Sequence, residues 1–146
     1  SVKNIGFLEI FKAGKNDEVR NITVVSEYGE EVNENESWFW VKEKIQFNIN
    51  NILKSKNNFK TKIDFSYAAV DDGEIRMILK NQNKVIQNIK IIAKANQFVE
   101  FNEKINLNPY EITSIYFESS IRPKKLGAND PRFASFKLMN FKISGC

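Results

Sequence analysis

Residues 37–49 read Ser37-Trp38-Phe39-Trp40-Val41-Lys42-Glu43-Lys44-Ile45-Gln46-Phe47-Asn48-Ile49, and their alternation decides the fold class. Successive side chains of a strand point to opposite faces. Phe39, Val41, Ile45, Phe47 and Ile49 therefore share one face, while Trp38, Trp40, Lys42, Lys44, Gln46 and Asn48 share the other. Only Glu43 interrupts the apolar side. A period of two is the mark of a half-buried strand. The two tryptophans, the only ones in the chain, fall on the polar side, so both indoles are expected to face outward with the lysines.

The same period recurs along the chain. Phe59 to Tyr67 places Ile63, Phe65 and Tyr67 inward, and Glu74 to Lys80 does so with Ile75, Met77 and Leu79. Further strands are expected at Gly6 to Phe11, Lys84 to Ile92, Gln97 to Phe101, Glu111 to Ser120 and Phe133 to Ile143, with a short edge strand at Asn21 to Ser26. Asp71-Asp72-Gly73, Asn81-Gln82-Asn83, Asn106 to Pro109 and the longer Pro123 to Arg132 segment supply turns between them. Asn48 to Asn58 reads equally as a turn of helix or as a loop. Many short strands joined by polar turns imply an all-β, two-sheet antiparallel sandwich of jelly-roll type. One domain over residues 1–146 is expected, with the opening Ser1 suggesting a module of a larger protein.

Composition excludes several chemistries. The chain has no histidine and a single cysteine, Cys146, so histidine-based acid-base catalysis, serine-histidine or cysteine-histidine pairs and intrachain disulfides are all ruled out. The usual zinc sites go with them. No apolar run reaches the ~20 residues of a spanning helix, so no transmembrane segment is expected. The net charge of +4 is mild, arising from 22 basic and 18 acidic residues that are interspersed.

Outward tryptophans suit stacking against the C–H face of a sugar ring. Lys42, Gln46 and Tyr116 would supply orienting hydrogen bonds beside Trp38 and Trp40. Within Pro123 to Arg132, Pro123 and Gly127 shape the turn, and Asp130 is placed to pair with Arg132 in a structural latch. The carboxylates Glu30, Glu31, Glu34 and Glu36, and the pair Asp71-Asp72, lack the opposed geometry of a glycosidase. Asp71-Asp72-Gly73 also lacks the alternating oxygen ligands of a calcium loop. No catalytic residue, metal or cofactor is therefore assigned.

The late pattern Ile115-Tyr116-Phe117, Pro123, Leu126, Gly127, Asp130, Arg132 and the strand to Ile143 resembles the end of a β-sandwich module on bacterial surface-polysaccharide proteins, including glycosyltransferases. Gly6-Phe7-Leu8-Glu9 and Trp38-Phe39-Trp40 resemble its front. The resemblance implies a carbohydrate-binding-module-like jelly roll attached to glycan machinery in the bacterial cytoplasm or at the membrane, with catalysis elsewhere. The implied partner is a carbohydrate or a domain of the parent enzyme. Two other functions stand beside a non-catalytic carbohydrate module. One is a structural sandwich that packs on its parent. The other is a single-strand nucleic-acid binder using Trp38, Trp40, Lys42 and Lys44. The acidic Glu30 to Glu36 block opposes the last of these, because counterion release rewards a continuous basic track.

Overall fold

In the computed structural model, residues 4–11, 19–50, 59–107 and 112–145 are described. They form β1 (Asn4–Phe11), β2 (Val19–Ser26), β3 (Glu31–Val32), β4 (Ser37–Val41), β5 (Lys44–Asn50), β6 (Phe59–Ala69), β7 (Gly73–Asn81), β8 (Lys84–Ala93), β9 (Phe98–Leu107), β10 (Ile112–Ser119), β11 (Lys124–Gly127), β12 (Asp130–Ala134) and β13 (Phe136–Gly145). A six-stranded sheet runs β1-β2-β5-β10-β7-β8, and a five-stranded sheet runs β3-β4-β13-β6-β9. β11 and β12 form a separate hairpin. Every ladder between these strands is antiparallel. The fold is an all-β jelly-roll sandwich.

The continuous strand expected over Trp38 to Ile49 is two strands in two sheets. The chain crosses the sandwich at Lys42 and Glu43. On one side of the crossing the Val41 carbonyl accepts from Ser135 N at 2.7 Å, and on the other the Glu43 carbonyl accepts from Ser119 N at 2.8 Å. Val41 and Ile45 both point inward because they stand four positions apart and each sheet turns its apolar face to the other. A reader of alternation alone sees one unbroken phase.

Aromatic rings from both sheets close the core. Phe47 of β5 meets Phe39 of β4 edge-on at 5.7 Å and stacks on Phe141 of β13 at 3.9 Å. Phe117 of β10 meets Phe65 of β6 edge-on at 5.0 Å. Such pairs contribute about 0.5–1.5 kcal/mol beyond the area they bury.

Three other expectations are corrected. β2, expected at an edge, lies between β1 and β5. Phe133 to Ile143 is broken at Ser135, whose buried hydroxyl donates to the Val41 carbonyl at 3.1 Å and whose backbone oxygen accepts from Val70 N at 2.9 Å. The turn segment Pro123 to Arg132 carries the β11–β12 hairpin. Of the Asn48 to Asn58 segment, Asn48 to Asn50 belongs to β5, and the remainder lies outside the described residues, as does Cys146.

Phe47→Ala should lower unfolding free energy by about 3–5 kcal/mol in urea titrations, because it removes a ring that three others pack against. Phe133→Ala, at a side chain 46% exposed, should stay within about 0.5 kcal/mol of wild type.

Candidate functional site

The crossing at Lys42 and Glu43 separates the residues expected to act together. Trp38 and Trp40 lie on the outer face of the five-stranded sheet, Gln46 and Tyr116 lie on the outer face of the six-stranded sheet, and Lys42 stands in the crossing itself. Sheets of a sandwich pack about 10 Å apart, so one ligand does not reach both outer faces. Two different surfaces result.

On the six-stranded sheet, Tyr116 is flanked across the strands by Gln46 and Ile78. Asn48 Oδ1 accepts from Gln46 Nε2 and from Ser114 Oγ, each at 2.7 Å. The Lys80 ammonium stands 4.9 Å from the Tyr116 ring centroid. This face is a polar network around one aromatic ring.

The five-stranded sheet carries the tryptophans. Trp38 has Glu31 on one side and Met139 on the other, and Trp40 faces Lys137. Beyond them, Met139 pairs with Ser66 and Lys137 with Ala68, and these in turn pair with Glu100 and Phe98. The Lys137 ammonium sits 4.6 Å from the Trp38 ring centroid and 5.4 Å from that of Trp40. One cation thus caps both indoles, a contact that contributes about 0.5–1 kcal/mol at an exposed site. The indoles are partly buried, and Trp38 Nε1 is buried with no acceptor among the described residues.

Next to the indoles the sheet is indented. Between Met139 and Lys142, β13 has one residue more than β6 opposite it, a β-bulge. Asn140 takes up the extra residue at φ 52°, a left-handed conformation that asparagine tolerates better than most residues. Its Oδ1 accepts from Ser37 N at 3.0 Å, which ties the bulge to the start of the tryptophan strand. The bulge also shifts the strand's phase, so that Phe141 reaches the core and Lys142 points outward. A cleft of about 380 Å³ opens there, lined in part by Lys62, Asp64, Ser66, Glu100, Asn102, Asn140 and Lys142. With the indoles it makes a face about 14 Å wide across β4, β13, β6 and β9.

Sequence reasoning missed Lys137, Asn140, Ser66 and Asn102. The apolar phase break between Leu138 and Phe141 was a legible sign of the bulge. The other three become visible only when strands distant in sequence are brought side by side.

The Pro123 to Arg132 segment braces one flank of this face. Arg132 donates from Nε to Asp130 Oδ1 at 3.0 Å and from Nη2 to Asp130 Oδ2 at 2.8 Å, a bidentate pair. Its Nη1 reaches Glu31 Oε2 of β3 at 3.1 Å, and the guanidinium lies 5.5 Å from the Tyr28 ring centroid. Tyr28 donates its hydroxyl to the Phe133 carbonyl at 3.0 Å. Pro123 precedes the hairpin, and Gly127 ends β11 opposite Asp130. The hairpin is therefore fastened to β3, the neighbour of the tryptophan strand. The Arg132 side chain, and then its backbone N–H, hold the Asp130 carboxyl below its ordinary range.

The turn carboxylates Asp71 and Asp72 have structural partners. Asp71 Oδ1 accepts from Asp72 N at 2.8 Å, and Asp72 Oδ1 accepts from Ala95 N at 2.8 Å. Among the described residues no group of three or more carboxylate, histidine or cysteine side chains is arranged to hold a metal ion. No helix of the described residues is long and apolar enough to cross a membrane.

No family model matches the chain, and no characterised protein matches it in sequence. Solved structures do resemble it. The N-terminal cellulose-binding domain of a Cellulomonas fimi β-1,4-glucanase superimposes at a TM-score of 0.50 with 9% identity, over 83% of this chain and 85% of that one. A family 4 carbohydrate-binding module gives 0.48 with 14% identity over 81% and 76% of the two chains. The family 6 module of Cellvibrio mixtus lichenase 5A, in complex with cellotriose, gives 0.44 with 10% identity over 100% and 91%. At these identities the likeness is one of fold.

The Asp130 carboxyl titrates below its unfolded value, so the latch contributes fully above pH ~4 and is lost as pH falls through the lower folded value. Denaturant midpoints of wild type and Asp130→Asn should therefore differ at pH 7 and converge as pH falls through that lower value.

Proposed function

We propose that this domain is a non-catalytic carbohydrate-recognition module whose glycan lies across the outer face of the five-stranded sheet. The observation that carries this is the placement of both indoles and the polar cleft on one face. Trp38 and Trp40 offer ring surface for stacking against sugar C–H groups. Ser66, Asp64, Asn102 and Asn140 offer donors and acceptors for hydroxyls a few ångströms further along. A sugar that stacks displaces the Lys137 ammonium, so single-site affinity is weak. The jelly-roll fold, which carbohydrate-binding modules also use, supports the reading.

The setting suggested by the C-terminal motif belongs to the same proposal: a module of a bacterial surface-polysaccharide protein such as a glycosyltransferase, with chemistry done by the parent. A second reading makes this face an interface with a domain of the parent enzyme. It is favoured by Phe98, which is 57% exposed and lies in the same cross-strand row as Trp40 and Lys137.

Titration with a panel of soluble polysaccharides, followed by tryptophan fluorescence and calorimetry, separates these. Trp40→Ala should weaken binding at least about ten-fold, equivalent to ~1.4 kcal/mol, while Tyr116→Ala leaves it unchanged. Binding abolished by Tyr116→Ala and indifferent to Trp40→Ala would move the site to the six-stranded sheet. Lys137→Ala, which uncaps the rings, should tighten binding of neutral glycans about two- to five-fold.

A further inference from the structure

Resting on the reading of this face as a glycan site, we propose that the glycan is acidic, with its anionic groups held by a lysine cluster where β13, β6 and β9 run together. Lys60 and Lys62 of β6, Lys104 of β9 and Lys142 of β13 all fall on the outer face. Lys62 and Lys104 stand directly opposite each other on paired strands. Like charges in that position destabilise a sheet, and an anion between them relieves the repulsion. Lys142 pairs across the strands with Asp64, which also receives Lys62 Nζ at 3.7 Å.

Among the described residues, Asp64 is thus the one carboxylate amid four ammonium groups. Glu100, the other carboxylate of the cleft, lies on β9 four residues from Lys104, about 13 Å along the strand. The cluster opens onto the cleft, which Lys62 and Lys142 both line. A sugar ring seated by Ser66 and Asn102 would carry a carboxylate or sulfate substituent into it. The four lysines span two strand spacings, about 10 Å, by about 13 Å along β6, and among the described residues they do not continue as a track. That compactness suits a single charged substituent and not the evenly charged backbone of a nucleic acid.

Polygalacturonate and its fully methyl-esterified form share one backbone and differ in charge, so the test compares them by calorimetry at 50 and 500 mM NaCl. The acidic polymer should bind about ten-fold more tightly at low salt, with the preference lost at high salt. Lys62→Gln/Lys104→Gln should remove the preference, bringing the acidic polymer's affinity to that of the esterified one. Asp64→Asn, which removes the competing carboxylate, should increase it. Equal affinity for both polymers overturns the acidic-glycan proposal and leaves the carbohydrate reading standing. Absence of binding to both, and to hyaluronan and dextran sulfate, overturns the two together. Tighter binding of single-stranded poly(dT) than of polygalacturonate, lost in the lysine double variant, assigns the cluster to nucleic acid and overturns it as well.

Discussion

Two backbone hydrogen bonds, from Ser135 N to the Val41 carbonyl and from Ser119 N to the Glu43 carbonyl, hold the point where the chain leaves one sheet for the other. Everything the domain presents outward depends on that crossing. Had residues 37–49 continued as one strand, the indoles, Gln46 and the lysines between them would form a single stripe. Because the chain crosses, the tryptophans belong to one surface and Gln46 with Tyr116 to another. The core tolerates the crossing because it keeps the apolar residues facing inward: Phe39 before it and Phe47 after it meet edge-on across the sandwich.

A second departure from regularity shapes the face that results. The extra residue at Asn140 restores the inward phase for Phe141 and Ile143, and it leaves an indentation beside the tryptophans. One backbone irregularity thus serves packing and surface shape at once. The hydrogen bond from Ser37 N to Asn140 Oδ1 couples it to the strand that bears the indoles. On the far flank, the Asp130–Arg132–Glu31 chain of charge-assisted bonds braces β3, an edge strand of only two residues. Short, braced edges also protect a sheet from pairing with other chains.

Charge is distributed unevenly over this face. Near the indoles, one lysine lies over both rings. Along β6 the lysines gather opposite one another with Asp64 between them. An overall charge of +4 conceals this arrangement, because net charge carries no information about position.

By itself the sequence determined the all-β class, most of the strands, the inward set of Phe and Ile, and the pairing of Asp130 with Arg132. These are set by alternation, by turn chemistry and by neighbours two residues apart, all of which are local. Phase alone could not show that Trp38 to Ile49 changes sheets, since a crossing of even length preserves inward and outward alternation. Nor could it show which side chains share a surface. Lys137 over the indoles, Asn140 beside Ser37 and Lys62 opposite Lys104 are meetings of residues 42 to 103 positions apart. Only strand order and register decide such meetings, because they rest on which strands exchange backbone hydrogen bonds, and every backbone offers the same groups.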